Sequence, residues 1–325
     1  MVGVIIPTYK AKDVLPHALD SLVAQTKRMF IVCISIDGDD EDYSEIIEEY
    51  RRRGLKICVI RQEVNGGPGM ARQAGIFKMA PMCDYLMFLD ADDLLMPHAI
   101  DKLYEEAKKT NADAIQSSII CASRMDPDRV LAATSTPVTW THGKIYRSKY
   151  LLDNKIEFIP EIRLNEDSYF NVVAMNCTKN KYMVDIVTYY WNDNPNSLTR
   201  NNRDEFFIKS WEQYILSQIR GMEKIYEICP DAITGSLLGL TCINIFWHHI
   251  QARNRGLDET LVTQYLSEWK EIPKFQKIIT EAPFWQTISD NLKASTMEKG
   301  NLIFPKQNFA DWVKQYITKG DECTK

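Results

Sequence analysis

The first third of the chain alternates short apolar, β-branched runs with segments whose apolar residues recur at helical spacing. Strand-like runs such as VGVIIPTY, FIVCISID and CDYLMFLD are separated by helix-like segments such as DEDYSEIIEEYRRRG and PHAIDKLYEEAKKTN. Strands that are regularly separated by helices of about 10–15 residues are typical of βαβ units. The alternation therefore predicts an α/β fold, a Rossmann-like and mostly parallel sheet flanked by helices.

Signals at the ends of these segments mark individual helix boundaries. Asp13 precedes the first helical segment and is a candidate N-cap, because its side chain could accept a hydrogen bond from a first-turn amide. Gly54 follows the second helical segment, where a left-handed backbone is favoured. Pro68 suits the first turn of the third segment, since that turn needs no amide donor.

Polar stretches follow three strands of the predicted sheet: PTYK, DGDD and DADD. The carboxyl ends of parallel strands meet at one edge, where ligands of such folds bind, so these stretches should converge in space. The third stretch places three mutually repelling carboxylates close together, at Asp90, Asp92 and Asp93. A divalent cation would offset the repulsion, because hard cations take carboxylate oxygens and can also hold a diphosphate.

The rest of the chain is organised differently. After about Ser123 the alternation becomes irregular, although EDSYFNVVAMNCT still predicts a helix. From Asp204 onward, helical patterns with wide apolar faces dominate, and such faces must be buried. We therefore expect two domains, residues 1–203 with the sheet and residues 204–325 as a mainly helical C-terminal domain.

Composition and charge narrow the class of protein. A formal net charge of -5 argues against a general nucleic-acid coat, although a local basic groove stays open. The eight cysteines include no CxxC pair, so we expect no zinc site and reduced thiols of a cytoplasmic protein. The start MVGVIIPTYK lacks a signal-peptide pattern. The longest apolar segment, of about thirteen residues, is too short to span a membrane.

Seven segments, taken together, resemble family 2 glycosyltransferases of the GT-A fold, the inverting class that uses nucleotide-sugars. The resemblance covers about residues 2–202, and the segments occur in the order of the family's motifs. They are VIIPTYK, SIDGDDED, NGGPGMARQAG, FLDADD, GKIYRSKYL, NEDSYF and SLTR. The resemblance implies a GT-A sheet and a glycosyltransferase activity. The helical domain, residues 204–325, would then contribute to the acceptor side or to a contact between copies of the chain.

The resemblance implies roles for residues on the nucleotide side. Pro7, Thr8 and Tyr9 match the loop that lines the base and the ribose. Asp37 matches the aspartate that accepts the N3–H of uracil, which favours a UDP-sugar as donor. Ile36 stands where the family has a further aspartate, and this difference weakens the match at the base.

The resemblance also implies residues for the diphosphate, the metal and the chemistry. Arg72 matches the residue that approaches the diphosphate, where a fixed cationic fork suits anionic oxygens. Asp90 matches a carboxylate near the ribose and the metal, and Asp92 the carboxylate that holds Mn²⁺ or Mg²⁺. Asp167 matches the general base, with Glu166 beside it. The implied reaction is a single displacement in which the acceptor hydroxyl attacks and the diphosphate leaves.

Several functions stay open at this point. The chain lacks the QxxRW motif of processive synthases, which favours a non-processive enzyme whose acceptor is a polysaccharide or a lipid-linked glycan. A glycosyltransferase that acts on modified bases of viral DNA is an alternative within the class. Outside it, the alternatives are a nucleotidyltransferase, whose Gly-rich basic loop is missing here, and a non-catalytic sugar-binding or interaction module.

Some of these residues also have ordinary structural explanations. Asp93 suits an N-cap for the following helix better than a metal ligand, and His142 suits a surface position. Tyr189 and Trp191 end a strand, where they suit core packing as well as stacking on a sugar. The glycines of NGGPG suit a tight turn rather than a phosphate-binding loop.

Overall fold

The computed structural model describes residues 1–122, 130–133, 139–192, 203–281 and 306–318, together with Phe284 and Ile288. The chain divides into two compact units, Met1–Asn201 and Asn202–Lys325. The SLTR segment, which contributed to the family resemblance, lies outside the described residues.

The first unit begins with the expected strand–helix alternation, and its first four strands are parallel in the order β3–β2–β1–β4. The strands are β1 (Val2–Thr8), β2 (Phe30–Asp37), β3 (Ile57–Gln62) and β4 (Tyr85–Phe88). The helices are α1 (Leu15–Val23), α2 (Ser44–Arg52), α3 (Pro68–Met79) and α4 (Ala99–Thr110).

The sheet continues beyond β4 as a mixed sheet, in the order β4–β8–β6–β9–β5, with β7 paired to β6. Its strands are β5 (Leu94–Leu95), β6 (Ala114–Ala122), β7 (Val130–Ala133), β8 (Lys144–Arg147) and β9 (Lys181–Trp191). Of their described pairings, only β6–β9 is parallel. Helices α5 (Ser148–Asp153) and α6 (Glu166–Asn176) lie between β8 and β9 in the chain. The parallel pattern expected from the sequence thus applies to the first half of the sheet.

The structure confirms two of the three expected helix boundaries. Pro68 opens α3, and Gly54 follows α2 with a φ of 93°. The N-cap assigned to Asp13 is wrong. The N-cap of α1 is Val14, which is followed by Leu15 and Pro16 and has no side-chain cap. Pro16 lacks the amide that such a cap would engage.

Close packing of α3 on the sheet fixes the position of that helix. The strands β1, β2 and β4 are almost wholly buried. A Cβ added at Gly75 would lie 2.4 Å from Cγ2 of Ile5, which no relaxed contact allows. Glycine at this position therefore lets the backbone of α3 approach β1, and the helix presents its first turns to the carboxyl ends of the strands.

The second unit is helical in its described residues, as the sequence predicts. Its elements are α7 (Arg203–Ile228), a 3₁₀ turn (Pro230–Ala232), α8 (Gly235–Asn254), α9 (Thr260–Trp269), α10 (Pro273–Thr280) and α11 (Lys306–Tyr316). Trp269, Phe246, Phe275 and Phe309 are among its largest buried side chains. None of the described helices combines the length and the apolarity needed to cross a membrane.

A polar network centred on the buried His249 joins α8, the start of α9 and α11. Nε1 of Trp312 donates to Nδ1 of His249 at 3.0 Å, so that nitrogen carries no proton. Nε2 of His249 therefore donates to Glu259, at 2.5 Å. Arg253 donates to both Glu259 and the Tyr316 hydroxyl. Burial lowers the pKa of His249, which keeps the ring neutral against the opposing hydrogen bond to Glu259.

Candidate active site

Strands β1, β2 and β4 bring the three polar stretches to one edge of the sheet. The three strands are adjacent and parallel, with Thr8 paired to Ile36 and Ile5 to Phe88. Each polar stretch leaves its strand at the carboxyl end. This edge therefore carries the residues for which the sequence predicts binding and chemistry.

A buried arginine links two carboxylates at this edge. The side chain of Arg72, on α3, is 5% exposed. One terminal nitrogen donates to Oε1 of Glu166 at 2.6 Å, and the other donates to Oδ1 of Asp90 at 2.7 Å. Gly69 makes room for this contact, since a Cβ there would lie 2.8 Å from Cγ of Glu166. The arginine thus holds Glu166 and Asp90 in fixed positions, and its contact with a diphosphate stays a prediction.

A second group of ligand-type atoms lies on the other side of Asp90. One oxygen each of Asp90 and Asp93 and a ring nitrogen of His142 all lie within 4.8 Å of one another. Nε2 of His142 is 3.3 Å from Oδ2 of Asp90 and 3.8 Å from Oδ2 of Asp93. Nδ1 of His142 is buried and has no hydrogen-bond partner among the described residues. Two carboxylates and an imidazole fit a divalent cation such as Mn²⁺.

The two aspartates of this group have opposite electrostatic environments. Burial alone would raise the pKa of Asp90, but the charge of Arg72 and the hydrogen bond from His142 outweigh it and lower that pKa. Burial and the charges of Asp90 and Asp92 raise the pKa of Asp93 well above its ordinary value. Ionisation of Asp93 is therefore unfavourable beside the other two carboxylates, and a bound cation would favour its ionised form.

The N-cap role expected for Asp93 is wrong. Its Oδ2 accepts from the Tyr189 hydroxyl at 2.7 Å, and its Oδ1 accepts from the backbone of Asn192 at 2.8 Å. The residues that follow Asp93 form the short strand β5, and α4 begins only at Ala99. The cap expectation failed because a strand separates the aspartate from the helix.

Asp92, the expected metal carboxylate, is not one of the three clustered ligands. It is half-buried on the same turn, where the Asp93 amide bonds to the Asp90 carbonyl at 3.1 Å. Its role as a ligand stays a prediction. The structure brings Asp90 together with Asp93 and His142. Asp93 and His142 are therefore candidate metal ligands in addition to the predicted Asp90 and Asp92.

Asp167, the predicted base, lies next to Glu166 at the start of α6. Its Oδ1 accepts from the Ser168 amide at 2.8 Å. Burial and the negative charge of Glu166 raise the pKa of Asp167 to about 7, against the lowering effect of Arg72. A carboxylate with such a pKa can exchange a proton near neutral pH, which is what general base catalysis requires.

Asp37 supports the glycine turn before α3. Its Oδ1 accepts from the Gly66 amide and its Oδ2 from the Gly67 amide, each at 2.8 Å. Gly67 has a φ of 87°, which confirms the tight turn expected at NGGPG. A Cβ at Gly38 would lie 2.2 Å from the Asn65 amide nitrogen, so the two loops are in close contact. Recognition of uracil by Asp37 stays a prediction.

The predicted nucleotide loop begins at the end of β1. Pro7 is half-buried, and the buried Thr8 donates its hydroxyl to the Ile6 carbonyl. Tyr9 is 47% exposed, so of these three residues it has the most surface available for contact with a ligand. The contacts of Pro7, Thr8 and Tyr9 with a base or ribose stay predictions.

Three residues at the site have contacts that the sequence did not predict. His142 is buried rather than on the surface, and its ring centroid lies 4.7 Å from that of Tyr189. Tyr189 accepts from the Asp90 amide while it donates to Asp93. Lys144 is fully buried, donates to the Trp140 carbonyl, and burial lowers its pKa to about 7. The sequence held one signal for Lys144, because a lysine inside the strand-like GKIYRSKYL would bury a charge, which is costly unless the charge is paired.

The family described as Glycosyl transferase family 2 matches residues 3–173, which contain every predicted site residue. The uncharacterized glycosyltransferase EpsJ of Bacillus subtilis (strain 168) is 31% identical over 219 residues, covering 61% of this chain and 63% of that protein. The poly(ribitol-phosphate) beta-glucosyltransferase of Bacillus spizizenii is 28% identical over 208 residues, covering 58% of this chain and 32% of that protein. The chain thus spans between about a third and two thirds of these relatives.

Solved structures share the same fold. The structure of S. aureus TarS 1-349 in complex with UDP-GlcNAc has a TM-score of 0.69 and covers 90% of this chain and 85% of its own, at 18% identity. The complex of TarS 1-349 with UDP has a TM-score of 0.64 and covers 93% of both chains, at 17% identity. At this level of identity the likeness establishes the fold alone.

Proposed function

This chain belongs to glycosyl transferase family 2, and from that premise we propose that it transfers a sugar from a UDP-sugar to an acceptor hydroxyl. The choice of UDP is supported by the names of relatives and neighbours. TarS has been solved with UDP and with UDP-GlcNAc, and TarS of Staphylococcus aureus is 29% identical to this chain over 204 residues. The transferase chemistry belongs to residues 1–203, where the family match and the site residues lie.

The observation that carries this proposal is the arrangement of Arg72, Glu166, Asp90 and Asp167. Arg72 ties Glu166 to Asp90 through two short ion pairs, so the two elements that bear them keep a fixed separation. Asp167 follows Glu166 directly and is thereby held near the same edge of the sheet. Positioned charges of this kind are effective because they need no reorganisation during the reaction.

In the proposed reaction Asp167 acts as the general base. Its carboxylate takes the proton of the acceptor hydroxyl as the hydroxyl oxygen bonds to the anomeric carbon. The bond from that carbon to the diphosphate breaks in the same step, and UDP leaves with the electron pair. A single displacement inverts the configuration, and a positioned base contributes about 10²–10⁴-fold to the rate.

Asp90, Asp93 and His142 are the residues that would hold a divalent cation, Mn²⁺ or Mg²⁺. When bound, the cation supplies positive charge for the diphosphate. Independently of it, Arg72 lowers the pKa of Asp90 and keeps that side chain ionised, while the Tyr189 hydroxyl holds Asp93 in place. These residues orient the donor side of the site.

The proposed function also includes an acceptor class and a location. The acceptor is a hydroxyl of a polysaccharide or a related polymer, a class that the names of the poly(ribitol-phosphate) transferases support. The enzyme is non-processive and cytoplasmic, a location supported by free thiols at all cysteines of the described residues.

The test is the release of UDP by the full chain from UDP-glucose and UDP-GlcNAc with a poly(ribitol-phosphate) polymer as acceptor, with Mn²⁺ present or chelated. We expect UDP release by the wild type and a loss of about 10²–10⁴-fold in Asp167→Asn with unchanged UDP affinity. Asp153→Asn is the matched control, since this carboxylate pairs on the surface with Lys149. Pyrophosphate release, or no nucleotide binding at all, would exclude the proposed reaction.

A further inference from the structure

The loop after β1 is held by side chains of the loop after β2. Lys10, Ala11 and Lys12 follow Tyr9, and Lys10 has a left-handed φ of 46°, which is unfavourable for a residue with a Cβ. Three consecutive amides therefore need partners that β1 cannot provide, because the strand has ended at Thr8.

Three alternate residues of the second loop accept these amides, and we call them the clasp: Asp39, Glu41 and Tyr43. Lys10 N donates to Oδ2 of Asp39 at 2.8 Å. Ala11 N donates to the Tyr43 hydroxyl at 3.1 Å, and Lys12 N donates to Oε2 of Glu41 at 3.2 Å.

The clasp is itself firmly held. The Asp39 side chain is fully buried, and its Oδ1 accepts from the Glu41 amide at 3.0 Å. The Tyr43 hydroxyl lies 3.0 Å from Oδ2 of Asp39 and 2.8 Å from Oε2 of Glu41, so its proton can serve either carboxylate. Arg61, at the end of β3, donates to the backbone carbonyls of Asp39 and Glu41.

We propose that Asp39, Glu41 and Tyr43 are positioning residues that set the affinity for the donor nucleotide by fixing the loop that presents Tyr9. This inference rests on the proposed function, because it takes the Tyr9 loop as the nucleotide side of the site. The clasp touches neither Asp167 nor Arg72 in any described contact, so it acts on binding and leaves the displacement step unchanged. With these three residues, the segment that precedes α2 contributes to donor binding.

The first experiment replaces Tyr43 by phenylalanine in the full chain. Tyr43→Phe keeps the buried ring and removes the oxygen that accepts from Ala11. We expect the donor KM and the UDP dissociation constant to rise about tenfold, the value of one buried hydrogen bond. We expect kcat, with donor and acceptor saturating, to stay within about twofold of the wild type.

Two variants that change the net charge equally separate the effect of the hydrogen bonds from the effect of charge on UDP binding. Each Asp39 oxygen accepts a backbone N–H, from Lys10 or from Glu41, so Asp39→Asn places an amide donor against one of the two and should weaken UDP binding in the same way. Asp40→Asn makes the same charge change on the next residue, which is exposed, and should leave UDP binding unchanged. Melting temperatures of all variants separate a loss of stability from a loss of affinity.

A double-mutant cycle with Tyr9 tests the proposed route. If the clasp acts through Tyr9, Tyr43→Phe should weaken UDP binding by less than about twofold in a Tyr9→Ala background. A lower melting temperature with unchanged UDP affinity would show that the clasp is only structural. The full tenfold loss in the Tyr9→Ala background would also overturn the proposal. A wild type that binds no UDP would refute the proposed function and, with it, the clasp's role.

Discussion

At the scale of single residues, the surroundings of Asp167 suit the proposed role of this carboxylate as general base. Its pKa is raised to about 7 by burial and by Glu166, which places its titration at neutral pH. The same environment disfavours the ionised form in the folded protein. Activity and stability should therefore respond to pH in opposite directions.

We expect kcat/KM to rise with pH through an apparent pKa near 7, because only ionised Asp167 accepts a proton. The stabilising effect of the raised pKa is fully present below about 3.8 and is lost as pH rises to about 7. Asp167→Asn should then be more stable than the wild type at pH 8, by on the order of 4 kcal/mol. Urea unfolding of the wild type and of Asp167→Asn at pH 4 and pH 8 measures this difference. The same difference in stability at both pH values would contradict the raised pKa of Asp167.

The three clustered ligands lead to a prediction about metal binding. His142→Gln should weaken Mn²⁺ binding at least about tenfold, because a buried nitrogen ligand is lost. Mn²⁺ titration followed by electron paramagnetic resonance measures it, with the exposed His17→Gln as control. If His142→Gln binds Mn²⁺ as the wild type does and Asp92→Asn does not, the ion is held by the predicted pair Asp90 and Asp92.

The DADD stretch also shows what sequence alone could predict. The alternation of strands and helices predicts that these acidic residues lie at a strand end, and the structure places them there. Which of Asp92 and Asp93 joins His142 depends on a turn within that stretch and on a residue 52 positions away from Asp90. No local pattern carries that information, so the assignment of individual ligands exceeded what the sequence could support.

At the scale of elements, the parallel strands were predictable because long periodic runs specify them. β8 was not, since it has four residues and inserts between β4 and β6 in antiparallel orientation. Strand neighbours of this kind depend on pairing across distant segments rather than on propensity. The mixed half of the sheet, which delivers His142 and Tyr189, was therefore the less predictable half.

The network of His249 predicts how α11 is held within the helical unit. Trp312→Phe keeps an aromatic ring and removes the N–H that bonds to His249. Because His249 would keep an unpaired buried nitrogen, the variant should lose about 1–3 kcal/mol of stability. Urea unfolding measures the loss, with Lys314→Ala on the exposed side of the same helix as control. An unchanged midpoint would show that the network contributes nothing net.

At the scale of the whole molecule, donor binding should stabilise the folded chain. UDP with Mn²⁺ at about 100 times its dissociation constant should add about 2.7 kcal/mol. For the unit that carries the site, this corresponds to a rise of about 5–10 °C in melting temperature. Differential scanning calorimetry measures it, with uridine as the control ligand, and an equal shift by uridine would show that the diphosphate is not recognised.

The ion pairs of Arg72 have a consequence for how the chain reaches its active form. Arg72 and Glu166 are 94 positions apart, and Tyr189 is 96 positions from Asp93. Closing loops of this length costs entropy before any contact rewards it. Local βα units can assemble early, whereas the site exists only after the distant segments have met. Recovery of UDP binding during refolding therefore reports completion of the tertiary fold rather than formation of its secondary structure.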